Sequence, residues 1–130
     1  MGPRITFRTW TPPLLALIVI IIAGCMSLER MAPPAEGEVV AAGQRFGFTQ
    51  ETLQRGRHIY LNQCIQCHTV EPIDRYSLAE WHDILPEMNA ESKLNATQAA
   101  ELKAYIRAAH EAMTAAMRDG GEARPLNDGK

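Results

Sequence analysis

The 130-residue chain is short of aromatics, at 6%, and holds only three cysteines. No stretch sustains the alternation of apolar and polar residues that a strand needs, so a β-sandwich or barrel has nothing to build from. Internal repeats and a phosphate-binding glycine loop are also missing, as are a Ser-His-Asp set, a paired acid/base site and a second CxxC. Basic charge is scarce as well. With Arg4 and Arg8 set aside in the N-terminal run, 11 Lys and Arg face 15 Asp and Glu from residue 25 onward. Nucleic acid rewards a basic patch, so no nucleic-acid partner is expected. A chain of this length has room for one small domain.

What is present centres on Cys64-Ile65-Gln66-Cys67-His68. Two thiols three positions apart, with an imidazole directly after the second, suit covalent attachment of a c-type haem. Each thiol can add across one vinyl group, and the adjacent histidine supplies the proximal ligand to iron. Three other readings use the same residues. A disulfide leaves His68 unexplained. A structural zinc site needs about four ligands, and no further pair is apparent. A thioredoxin-like redox pair sits near a βαβ pattern, which this chain does not show.

Residues 1–24 have the form of an export signal. Arg4 and Arg8 precede an apolar run from Leu14 to Ala23, and Ala23-Gly24 are small enough for cleavage. Ile22-Ala23-Gly24-Cys25 resembles the bacterial lipoprotein box. That resemblance implies a lipidated Cys25 as the first mature residue. An uncleaved transmembrane anchor over Thr9–Leu28 is the alternative, and both place the rest outside the cytoplasm. Residues 25–48, rich in Pro, Gly, Ala and Glu, read as a lipidated cysteine and a flexible tether.

Residues 49–118 carry the helical signals. Thr49 is an acceptable N-cap for a helix with Leu53, Gly56, Ile59, Tyr60 and Cys64 on one face. Gly56 on that face is best explained by close approach of another helix. Ser77-Leu78-Ala79-Glu80 has capping-box form and opens a short helix bearing Leu78, Trp81 and Leu85, which Pro86 is expected to end or kink. A second box, Asn95-Ala96-Thr97-Gln98, opens a last helix reaching about Met117, with Leu102, Ile106, Ala109 and Met113 as its stripe. Asp119-Gly120-Gly121 is expected to stop it, leaving 119–130 as a disordered tail. Three modest helices over some 70 residues seldom bury enough to stand without a staple, so the haem-free chain is expected to be largely unfolded.

These residues together resemble the small monohaem class I cytochromes c over about residues 49–110. A helix with Gly56 and Tyr60 leads into Cys64, Cys67 and His68. Pro72, Tyr76, Trp81 and Met88 follow in the order of short periplasmic domains, and a last helix carries Leu102 and Tyr105. The resemblance implies an all-α class I fold, about three helices around one covalent haem c, with first and last helices crossed at Gly56. It implies iron held by His68 and Met88. Independently, Met88 follows Pro86 on what reads as an irregular segment, where a thioether can be aimed, whereas Met113 and Met117 have core or surface spacing. His82 is the competing ligand, and His58 and His110 read as exposed or packing residues. Tyr76 and Trp81 are candidates for lining the haem or bonding a propionate, with core packing as the other reading; Arg75 reads as an exposed loop arginine or a propionate partner, and the Pro72 carbonyl is a candidate for orienting His68.

The function these expectations compose is electron transfer without catalysis, at the periplasmic side of a bacterial membrane, with membrane-bound redox proteins as partners. A haem subunit of a larger oxidoreductase is one alternative. A haem enzyme or gas sensor with a labile distal site is the other.

Overall fold

The computed structural model describes residues 28–66, 69 and 71–122; the signal segment with Cys25, the motif residues Cys67 and His68, and the extreme C-terminus lie outside them. The described residues are helical and contain no strand, as expected of an all-α chain. None of these helices is long and apolar enough to cross a membrane. Helical backbone at 28–31 is followed by four helices: α1 (Gly37–Arg45), α2 (Gln50–Asn62), α3 (Leu78–Glu91) and α4 (Ala96–Glu122). Single 3-10 turns occupy Cys64–Gln66 and Ile73–Arg75.

The crossing of α2 and α4 organises the molecule. Thr49 caps α2 by accepting from the Thr52 N–H at 3.2 Å, which sets the helix phase so that Leu53, Gly56, Ile59 and Tyr60 point inward. At Gly56 there is no room for a side chain. A Cβ there would sit 2.6 Å from the Cβ of Tyr105 and against the Glu101 carbonyl. The bare backbone lets the two helices touch, and Leu53, Leu102, Tyr105 and Ile106 fill the seam with essentially no exposure. Beside it, the Arg55 guanidinium donates to the Glu101 carboxylate at 2.6 Å. This pairing raises the Arg55 pKa.

Residues 28–48 do not form the expected tether. Ala32, Ala35, Val39 and Ala42 are buried, and α1 packs on both α4 and α2. Three observations explain why the segment is ordered. Arg57 donates to the carbonyls of Ala32 and Pro33, and the Tyr105 hydroxyl donates to that of Pro33 at 2.7 Å. Small residues on the inner face let α1 lie close, with Gly43 resting on Leu53. Gly47, at φ +80°, closes α1 in a Schellman arrangement, Phe48 N–H to Gly43 carbonyl and Gly47 N–H to Gln44 carbonyl, each 3.0 Å. The Arg107 guanidinium then lies 3.9 Å over the Phe46 ring.

Two boundaries also differ from expectation. The Ser77–Glu80 box forms reciprocally, but α3 continues through Pro86 to Glu91. Pro86 and His82 are both on the exposed side, so water can satisfy the His82 carbonyl that proline leaves unpaired. Past its end at Glu91, α3 is closed by Lys93, a non-glycine residue at φ +53°, with Leu94 N–H reaching the Asn89 carbonyl at 3.0 Å. The Asn95–Gln98 box opens α4 with two 3.0 Å hydrogen bonds. α4 passes Gly120 and Gly121 to end at Glu122. Each glycine costs about 1 kcal/mol of helix propensity without ending the helix by itself.

Candidate functional site: an apolar pocket beginning at Cys64

Where α2 gives way to the 3-10 turn, Cys64 is buried and faces a pocket of about 220 Å³. Aromatic and aliphatic side chains line most of it: Tyr60 from α2, Tyr76 before α3, Trp81, Ile84, Leu85 and Met88 from α3, and Ile106 from α4. Thr69 and Glu71 lie at its polar end. Burial pushes the Cys64 thiol pKa above its ordinary value. A thioredoxin-type nucleophile needs the opposite shift, so the environment suits a sulfur that is packed or covalently capped.

The polar tips of the aromatic wall are turned to the backbone. Trp81 donates its indole N–H to the Ile73 carbonyl at 2.8 Å, and the Tyr60 hydroxyl donates to the Glu71 carbonyl. Both bonds pin the loop between the motif and α3. Burial raises the pKa of Tyr60, so the phenol stays a neutral donor. Tyr76 and Tyr60 each meet the Trp81 ring edge-on, at 5.4 and 6.3 Å between centroids. With these two polar atoms occupied elsewhere, the Tyr60 and Trp81 rings offer the pocket their apolar surfaces.

The placement separates the candidates. Among the described methionines, Met88 lines this pocket, whereas Met31 lies in the 28–33 arm, Met113 packs against the core and Met117 is exposed. Met88 reaches it from the continuous helix α3, one turn beyond Ile84 and Leu85, and not from an irregular segment. His82 is exposed and faces the shallow grooves between α3 and α4. His58 is exposed on α2 beside Asn62, and half-buried His110 lies on α4 outside the pocket. Arg75 pairs with Glu71 at 2.7 Å and lies 5.8 Å over the Tyr76 ring. The Pro72 carbonyl accepts from the Arg75 N–H at 3.1 Å.

The donor set fits a covalent porphyrin. A buried thiol at the pocket's edge precedes Cys67 and His68 in sequence, a thioether lies in its wall, and the remaining lining is largely apolar. Ile84, Leu85 and Ile106 were not singled out as pocket residues by the sequence. For Leu85 the signal was the Trp81–Leu85–Met88 stripe at helical spacing, hidden by ending the helix at Pro86. No protein-family model, curated protein or solved structure matches the chain.

Proposed function

We propose that this chain is a monohaem electron-transfer protein of class I cytochrome c type, lipid-anchored through Cys25 on the periplasmic side of a bacterial membrane. In this reading Cys64 and Cys67 hold the haem as thioethers, while His68 and Met88 ligate its iron. The observation that carries it is the shared pocket of Cys64 and Met88, walled in part by Tyr60 and Trp81, whose polar atoms are occupied elsewhere. When bound, the haem supplies a one-electron couple, and methionine ligation raises its potential.

The chain's own residues do the rest. Tyr60, Trp81, Leu85 and Ile106 exclude water from the pocket, which favours the less charged redox state. The bonds from Tyr60 and Trp81 to the 71–73 backbone hold the loop after the motif in one conformation. Met88 in the lining supports filled iron positions over an open-site enzyme or sensor. Redox proteins bound to the same membrane are the partners, since anchoring raises their local concentration.

The test is intact mass and absorption of the matured, exported protein. One added haem mass is expected, together with the weak long-wavelength ferric band of thioether ligation. Met88→Ala removes that band and His82→Ala leaves it. Two unmodified thiols with no added mass overturn the reading.

A further inference from the structure

The docked N-terminal arm has a consequence for how the bundle sits on a membrane. Backbone at 28–31 is helical, and the Ala32 N–H closes that turn on the Leu28 carbonyl at 2.9 Å. Ala32 itself is fully buried, and Arg57 and Tyr105 hold the next carbonyls. From Cys25 to Leu28 is three residues, at most about 11 Å of extended chain. The helical turn to Ala32 adds about 6 Å. The whole leash is therefore about 17 Å, shorter than a bundle of this size, roughly 30 Å across. A free tether over 25–48 would average roughly 25 Å and stretch to about 80 Å, long enough for any face of the bundle to reach lipid.

We propose that the arm is a mooring that fixes the orientation of the bundle on the bilayer. The 28–33 face abuts the phospholipid headgroups, with exposed Leu28 at the root of the leash. The far side cannot turn to the lipid, because that would lift Ala32 beyond the leash. α3 packs on α4 with no substantial contact to α1, the helix into which the arm leads. The proposed orientation puts α3, and with it the Met88 wall of the pocket, away from the membrane, toward partners that stand out from it. The inference rests on lipidation of Cys25.

The experiment uses the matured full chain in phosphatidylcholine–phosphatidylglycerol vesicles bearing a headgroup-attached quencher. A fluorophore is placed by Glu29→Cys or Glu87→Cys, both exposed positions. Quenching at 29 should exceed that at 87 by about fivefold, as expected for a leash shorter than the body it holds. Inserting about twenty Gly and Ser residues between Ser27 and Leu28 adds roughly 25 Å without touching the clamp, and should bring the ratio near one. Intact mass is read on the same samples. Equal quenching with the diacylglyceryl mass present overturns the mooring alone, as does a ratio the insertion leaves unchanged. Absence of that mass overturns the anchor and the mooring with it.

Discussion

Gly56 and Gly43 are both buried where helices meet, yet adding the same methyl should have different consequences. At Gly56 the obstacles are the Glu101 backbone and the Tyr105 Cβ, which move only if α2 and α4 separate. At Gly43 the nearest atom is the Leu53 Cδ1, 2.5 Å from a built Cβ, and a rotamer change can relieve it. Gly56→Ala should therefore lose about 3 kcal/mol or more, outweighing the roughly 1 kcal/mol that alanine adds in helix propensity. Gly43→Ala should cost about 1 kcal/mol or less. Urea denaturation of the two variants checks the order, and equal losses would show that backbone and side-chain obstacles yield alike. The Gly56 contact was legible because glycine on an apolar helical face has few other uses. The pocket role of Ile84 was not, since an isoleucine beside a leucine reads the same whether it lines a core or a ligand.

At the scale of elements, the helix starts were legible and the ends were not. Thr49, Ser77 and Asn95 act through their own side chains on backbone three residues away, so the chemistry is local and the sequence carries it. The ends of α3 and α4 depend on what surrounds them: solvent at the His82 carbonyl lets α3 pass Pro86, and Lys93 takes a left-handed conformation in place of glycine. The arm was misread for a related reason. Ala32, Ala35 and Ala42 are small, so their burial shows no strong apolar period, and the partners that order them lie on α2 and α4. The capping box of α3 also gives a pH signature. Glu80 accepts from the Ser77 N–H and hydroxyl, which lowers its pKa below the ordinary value. A carboxylate whose folded pKa is depressed contributes stability above its unfolded pKa, about 4.3, and loses that contribution as pH falls through the folded value. Wild type should therefore exceed Glu80→Gln in stability at neutral pH, with the difference closing in acid. A difference that stays constant from pH 7 to pH 2 would assign the effect to shape and not to charge.

For the whole molecule, the arm changes what loss of the haem should do. Reading 49–118 alone gave a domain too small to stand by itself, and hence a largely unfolded apoprotein. The structure has instead two layers that share α4. On one side α1, α2 and α4 enclose Leu53, Leu102 and Tyr105, stitched by Arg57 and Tyr105 to the 32–33 carbonyls. On the other, α3 with Thr69, Glu71 and Tyr76 lines the apolar pocket. α3 leans on α4 through Trp81 and Leu85, and Trp81 is bonded within its own layer to the Ile73 carbonyl. Water entering an unfilled pocket would meet Tyr60, Trp81, Leu85 and Met88 and weaken the second layer first, whereas the first layer borders the pocket only at Tyr60, Cys64 and Ile106. The expected result for Cys64→Ala, Cys67→Ala is thus partial: helical circular dichroism reduced but not abolished. Hydrogen exchange should be fast over 78–91 and still slow in the facing turns of α2 and α4. Removing 28–48 from that same variant should then collapse the remaining protection, because it strips one wall from the surviving layer. Equal loss of protection across all helices in the double variant alone would mean that the layers unfold as one unit, and that the arm adds no independent core.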